Sequence, residues 1–182
     1  MLVGGSPGSG KTTLARVLGE RLGYPVIGRD ALKEVLLDAL PPADRAAASR
    51  LGMASWPMLY AVLDALIDRV PGVIIESNFR RGRSEGEARP FVARCRSVFV
   101  QCDASWDAIA GRIAAREGDP TRHPGHFDQV ALPMLAEQFA DGQFEPLALD
   151  IPVIRVRTDA VDGYAPSLDA LVAEIVGSRD RS

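Results

Sequence analysis

Residues 5–12 read Gly5-Ser6-Pro7-Gly8-Ser9-Gly10-Lys11-Thr12, and Thr13 follows. Glycine at the first, fourth and sixth places lets a tight turn aim several backbone N–H groups at one point, where side chains would block the approach. An apolar strand precedes the turn and an amphipathic segment follows it. The amides therefore meet the positive end of a helix, and together they make a trap for an anion. Lys11 adds an ammonium at the mouth, and the Thr12 hydroxyl is a ligand for a hard cation such as Mg²⁺. The chain has 17 glycines but only two lysines, Lys11 and Lys33. At that composition the pattern is expected by chance in roughly one chain in a thousand. It fits G-x-x-x-x-G-K-[ST], the phosphate-binding P-loop, whose lysine reaches the β- and γ-phosphates of ATP and whose Ser/Thr holds Mg²⁺.

Other residues bear chemistry at telling places. Asp30 lies just past the end of a short apolar run at Tyr24–Gly28. In an open α/β sheet, ligands gather outside the carboxyl ends of strands. A carboxylate there can orient an acceptor hydroxyl and take its proton, or it can serve only as N-cap of the helix that follows. Lys33 is three residues on, on the same helix face. It can hold an anionic acceptor, pair with Asp30 or lie on the surface. Glu76 ends the run Val73-Ile74-Ile75. It either holds the water shell of Mg²⁺ or is itself the base, with Asn78 and Phe79 on the same rim facing the acceptor. Arg112, Arg116 and Arg122 surround a Gly/Pro-bearing segment, about 117–127, that reads as a lid. Guanidinium forks there would stabilise charge on a transferring phosphoryl group. His123 and His126 flank Pro-Gly, which forbids a helical metal pair. Trp56, with Met53, Met58 and Tyr60, either lines an acceptor pocket or packs in a core.

Apolar runs and helical stripes alternate along the chain. Strands are expected at Met1–Gly4, Tyr24–Gly28, Gly72–Glu76, Ser97–Gln101 and Pro152–Val156. Helices are expected at Lys11–Gly23, Asp30–Leu40, Ala43–Val70 (in two pieces broken before Pro57), Ser105–Arg116, Phe127–Ala140 and Leu168–Val176. Gly82–Ala88 reads as a polar loop or the first turn of a helix reaching Arg94. Strands joined by helical crossovers imply a parallel sheet covered on both faces. The expected fold is α/β: a P-loop NTPase three-layer αβα sandwich with a five-stranded parallel sheet and a short arginine-bearing lid, forming one domain over 1–182. The first strand is short, which leaves room for a longer natural N-terminus.

Composition narrows the function. Hydrophobic residues make up 47% and net charge is −3. Both suit a globular protein and argue against a large nucleic-acid footprint, which needs a basic face. No apolar run reaches the ~20 residues of a membrane span. Cys95 and Cys102 have no metal-ligand spacing and form no disulfide framework, so a reduced cytoplasmic compartment is expected. No secretory or transit segment is expected ahead of Gly5. No Asn-Lys-x-Asp string is present, which argues against a GTPase switch. The length of 182 residues argues against a motor ATPase. A small kinase remains.

The chain resembles the P-loop small-molecule kinases that include chloramphenicol phosphotransferase, the zeta-toxin sugar-nucleotide kinases and the kinase domain of phage polynucleotide kinase. The likeness rests on residues 5–15, on Ile-Gly-Arg-Asp-x-x-Lys (27–33), on Val-Ile-Ile-Glu-Ser-Asn-Phe (73–79) and on Cys-Asp-Ala-Ser-Trp…Gly-Arg-Ile-Ala-Ala-Arg (102–116). It implies ATP and Mg²⁺ as cofactors and Asp30 as the group that accepts the hydroxyl proton. The region of Met53–Tyr60 would belong to the acceptor pocket. At Glu76 the relatives more often carry Asp. The expected activity is transfer of the γ-phosphate of ATP to a hydroxyl of a small molecule: antibiotic-like, nucleoside or sugar derivative. The partner is that small molecule, not nucleic acid or membrane, and the protein is a monomer or homodimer. A regulatory or zeta-toxin-like ATP-binding module acting on a nucleotide sugar or a partner protein is the alternative, and a polynucleotide 5′-kinase a third.

Overall fold

Continuous apolar runs pair with one another at the centre of the molecule. The computed structural model describes residues 1–116, 123, 132–161 and 163–178. Strands β1 (Leu2–Gly4), β2 (Val26–Gly28), β3 (Ile74–Glu76), β4 (Phe99–Asp103), β5 (Val153–Ala160) and β6 (Gly163–Ala165) form one sheet in the order β2-β3-β1-β4-β5-β6. The first five run parallel, with Val3 opposite both Glu76 and Val100. β6 is antiparallel to β5. The sheet therefore has six strands rather than the five expected. The sixth escaped notice because it is three residues long and its alternating exposure gives no apolar run.

Helices cover both faces. They are α1 (Lys11–Leu22), α2 (Arg29–Ala39), α3 (Arg45–Leu66), α4 (Glu85–Val92), α5 (Trp106–Ala114), α6 (Leu132–Ala140) and α7 (Leu168–Gly177). Alternate strand residues point to opposite faces. Val3, Ile74, Val100 and Val156 pack with Leu14 and Leu18 of α1 and Leu171 and Ile175 of α7. Leu2, Ile75 and Phe99 pack on the other face with Leu59 and Leu63 of α3 and Ala88 of α4. A third cluster joins Ile109 and Ile113 of α5 to Leu135 of α6. The result is the three-layer αβα sandwich. No helix among the described residues is long and apolar enough to cross a membrane.

Two helices differ from expectation. α3 is one helix with Pro57 inside it, not two pieces. Asp44 caps it, accepting a 2.7 Å bond from the Ala47 amide. Proline removes only the amide that would bond the Met53 carbonyl, while burial of Ser55, Leu59, Tyr60 and Leu63 holds the rest in line. α2 starts at Arg29, so the cap position is Gly28 and makes no side-chain bond. Asp30 is thus in the first turn rather than being the cap.

β1 sits where the chain order reverses, with β2 and β3 on one side and β4 and β5 on the other. Ligands bind at such a switch point, and the glycine-rich loop follows β1 directly. Its outer side is tied down. Arg112 of α5 donates from Nη1 to the Gly8 carbonyl (3.1 Å) and from Nη2 to the Thr158 carbonyl (2.7 Å). The Thr158 hydroxyl donates to the Ser9 carbonyl at 2.6 Å. In a trans peptide C=O and N–H point oppositely, so tethering these carbonyls outside turns the next amides inward. Arg112→Ala removes both bonds of the clamp. The expected cost is about 2–4 kcal/mol, because charge-assisted bonds are worth ~1.5–3 kcal/mol each and water recovers part of the loss. Melts of the nucleotide-free protein should fall by roughly 5–10 °C. An unchanged melt would mean that water replaces the guanidinium in full.

Candidate active site

The loop between β1 and α1 has the shape the motif demands. Gly5, Gly8 and Gly10 hold φ of 138°, 81° and 82°, which L side chains resist. A Cβ at Gly5 would also lie 2.6 Å from the Cys102 carbonyl oxygen. α1 opens on left-handed Gly10 without any side-chain cap. Its first-turn amides therefore have no side chain competing for them, which suits an anion.

Beneath the loop lies an ion pair. Lys11 Nζ stands 3.6 Å from Glu76 Oε1, with side chains only 7% and 3% exposed. The Thr12 hydroxyl stands near enough to Glu76 to favour its charged form. Burial holds the Glu76 carboxyl above its ordinary value. The Lys11 ammonium pulls it back down, Asp30 pushes it up again, and the Thr12 hydroxyl lowers it. Three groups from three elements thus meet at the ends of β1, β2 and β3. β2 approaches closely because Gly28 lacks a side chain: a Cβ there would stand 3.2 Å from Glu76 Oε2. Asp30 is paired with Arg29 at 3.0 Å, and the Arg29 guanidinium lies 5.0 Å from the centre of the Trp56 ring.

Two adjoining cavities open from this point. The inner one, about 370 Å³, is lined by Pro7, Gly8, Gly10, Lys11, Thr12 and Thr13 of the loop, and by Arg29, Asp30, Lys33, Asn78, Ile113 and Arg116. Gly5, Ser6 and Ser9 lie buried in the loop's base. The outer one, about 850 Å³, shares Arg29, Lys33 and Asn78 with the inner. It is walled by the α3 residues Ser49, Gly52, Met53 and Trp56 and by Arg80 and Arg83.

These placements sort the expected residues. Lys11, Thr12, Asp30, Glu76, Lys33, Asn78 and Arg116 come together, with Trp56 in the neighbouring wall. Phe79 does not join them. It is 1% exposed, and its ring packs against Trp56 at 5.9 Å and Phe99 at 6.0 Å, so it supports the pocket from below. Arg112 does not line the cavity either; it is the clamp behind the loop. Arg122, His126 and the rest of the lid at 117–127, except His123, lie outside the described residues. His123 Nε2 meets Asp38 Oδ1 on α2 at 3.1 Å. The sequence reading missed Arg29, Arg80 and Arg83 as cavity residues. Arg29 was within the Ile-Gly-Arg-Asp string, and Arg80 and Arg83 follow the third strand. Among nineteen arginines none of the three stood out.

The donors present suit a hard divalent cation. A hydroxyl and a carboxylate are oxygen ligands, and Mg²⁺ is usually held by one or two of these together with substrate phosphates. No group of three or more His, Cys, Asp or Glu that could hold a metal occurs among the described residues. A cation here would need phosphate oxygens to complete its shell.

The chain is similar to known proteins to different extents. A protein of Chloroflexus aurantiacus described as a candidate kinase superposes with a TM-score of 0.83 at 29% identity, covering 97% of each chain. Shikimate kinase of Acinetobacter baumannii, in complex with shikimate, superposes with a TM-score of 0.56 at 19% identity over 100% of this chain and 93% of that one, a likeness of fold. An uncharacterized protein of Mycobacterium tuberculosis is 31% identical over 126 residues, which is 64% of this chain. The chain spans about a quarter of the length of the curated relatives it matches, 25% in each case. A family model described as an AAA domain matches residues 1–139, a span that holds the phosphate loop, Asp30, Glu76 and both described candidate arginines, Arg112 and Arg116. The chain belongs to that AAA-domain family, in the P-loop kinase fold.

Proposed function

We propose that the protein is an ATP- and Mg²⁺-dependent kinase that phosphorylates a hydroxyl of a small molecule. One observation carries this reading: the phosphate loop, Lys11, Thr12 and Asp30 line one cavity, and a second cavity of small-molecule size opens beside it. The loop amides and Lys11 bind the β- and γ-phosphates. Thr12 and Glu76 would hold Mg²⁺, which when bound neutralises charge on the phosphate oxygens. Asp30 orients the acceptor hydroxyl. As its oxygen bonds to the γ-phosphorus, the bond from phosphorus to the ADP oxygen breaks and the hydroxyl proton passes to the Asp30 carboxylate. Arg116 stabilises the equatorial oxygens from the α5 side of the cavity. Asp30 is the better base of the two carboxylates, because Glu76 is buried against Lys11 and Thr12 while Asp30 is partly open to the cavity.

With ATP, Mg²⁺ and a mixed pool of hydroxylated metabolites, the protein should release ADP faster than with ATP alone. Mass spectrometry should find new species heavier by one phosphate. ADP release indifferent to the pool would point instead to a module that binds or hydrolyses ATP without an acceptor. Against an acceptor found in this way, Lys11→Ala should lower kcat by about 10²–10³-fold, the range for one preorganised charge-stabilising group. Asp30→Asn should lower it by about 10²–10⁴-fold. Wild-type kcat in Asp30→Asn would move the base to Glu76.

Glu76 also predicts a pH dependence of stability. Its folded-state affinity for a proton exceeds that of the unfolded chain, so folding binds protons above the ordinary value of 4.5. Stability contributed by this group is therefore present at low pH and is lost as pH rises above that value. Glu76→Gln mimics the protonated form. The nucleotide-free variant should melt higher than wild type at pH 7–8, with the gap closing as pH falls towards 4.5. The same variant should lose most of its turnover. A variant that melts lower at neutral pH would show that the pairing with Lys11 outweighs the cost of burial.

A further inference from the structure

The outer cavity has an unusual charge. Arg29, Lys33, Arg80 and Arg83 line it against a single carboxylate, Glu87. Carboxylates are not scarce in the chain, which has 24 acidic and 21 basic side chains. Elsewhere arginines are matched with them: Arg94 with Asp64 and Asp68, Arg155 with Asp103 and Glu145, Arg21 with Asp169. The two arginines farthest from the phosphate loop are not. Arg80 is fixed by neutral groups, donating to Gln138 Oε1 at 3.0 Å and lying 5.7 Å from the Phe144 ring centre. Arg83 has no carboxylate within ion-pair distance among the described residues. Burial and the nearby charges of Arg83 and Arg29 hold the Arg80 guanidinium below its ordinary value, so the three cations share one field. Convergent like charges of this kind destabilise a fold unless an anion arrives between them.

The polar inventory agrees. Asn78 Oδ1 and Arg29 Nε are buried without a hydrogen-bond partner, and both residues belong to the wall shared by the two cavities. Buried polar atoms are rarely left so. A ligand hydroxyl donating to Asn78 would satisfy the first. The wall opposite the cations is a face of α3: Ser49, Gly52, Met53 and Trp56 fall at i, i+3, i+4 and i+7. Apart from the Ser49 hydroxyl and the Trp56 indole N–H that face is apolar, which suits the carbon frame of a ligand.

We infer that the acceptor is a small polyhydroxylated molecule carrying a carboxylate or phosphate ester, bound with its hydroxyl at Asp30 and its anionic group between Arg80 and Arg83. The inference rests on the kinase reading above and names the acceptor class for that same site. The anion supplies what the cations lack, and the shared polar wall at Arg29 and Asn78 spans the distance between the two ends. Guanidinium forks bind carboxylate and phosphate alike, so the cavity specifies charge and leaves the choice between them to the test.

The test reads Trp56, which stands beneath Arg29 in the cavity wall. In a Trp106→Phe background Trp56 is the only tryptophan. The protein, held with a non-hydrolysable ATP analogue and Mg²⁺ at fixed ionic strength, is titrated with glucose, gluconate and glucose 6-phosphate. At least one of the two anions should change Trp56 emission and bind about tenfold tighter than glucose. Gluconate and glucose 6-phosphate separate the carboxylate from the phosphate source. Arg83→Gln should erase the preference, and Arg83→Lys should keep most of it. Arg83 is exposed, so its substitution spares the core, and Arg80→Gln gives a second reading. The inference is overturned if glucose binds as tightly as both anions, if none of the three binds, or if the preference survives in both glutamine variants. Calorimetry of the ATP analogue on the same protein separates this from the kinase reading. Nucleotide uptake without anion preference removes only the acceptor class, whereas no uptake removes the kinase reading itself.

Discussion

A buried ammonium and a buried carboxylate 3.6 Å apart are the constraint on which the site depends. Each would cost several kcal/mol to bury alone, and pairing offsets part of that cost. Holding them together fixes the ends of β1 and β3, and those strands pair directly, with Val3 opposite Glu76. β2 closes the group, its Gly28 leaving room for the carboxylate. Glu76 and Asp30 face Lys11 and Arg29 there, two carboxylates against two cations, yet Glu76 still holds its proton more tightly than usual, through burial and its neighbour Asp30. That burial costs the empty protein stability, the usual trade between a working site and a relaxed one.

Much of this could be read from residue order, because the physics of the phosphate loop is local. Glycines, lysine and threonine at fixed spacing fold the same way wherever a strand precedes and a helix follows. The parallel strands were legible for a related reason: burial on both faces leaves continuous apolar runs such as Val73-Ile74-Ile75. What failed was non-local. β5 was expected to stop at Val156, yet it runs on to Ala160 through Arg157, Thr158 and Asp159, polar residues that carry no apolar signal. That extension places Thr158 against the loop. Without it nothing marks Arg112 as a clamp. Arg112 lies in the last turn of α5 and Arg116 just past its end, and only the tertiary partner of each separates a structural guanidinium from one lining the cavity. Phe79 failed in the same way. Its neighbour Asn78 reaches the cavity wall, but at the next position the ring turns inward to Trp56 and Phe99.

The two cavities differ in what builds them. The inner one is made largely of main chain and of residues whose positions the sheet dictates, so a change in one is felt by all. The outer one is made largely of side chains on α3 and on the turn after β3, and it shares Arg29, Lys33 and Asn78 with the inner one. Substitutions at Ser49, Met53 or Arg83 alter the outer wall without disturbing the strand ends that hold Lys11 and Glu76. On the kinase reading, the fold can thus keep its phosphate loop fixed while the wall facing the acceptor varies.

Arg29 is the residue through which the two cavities would communicate. It bonds Asp30, stacks on Trp56 and adds its charge to the field around Arg80. An anion drawn in by the outer cations would relieve their repulsion and leave Arg29 more firmly on Asp30. The pairing fixes where the Asp30 carboxylate stands, so on the kinase reading Arg29 acts on it by position. Partial exposure of both side chains, 17% and 31%, moderates the pair, since water screens a half-open ion pair far more than one as deeply buried as Lys11–Glu76.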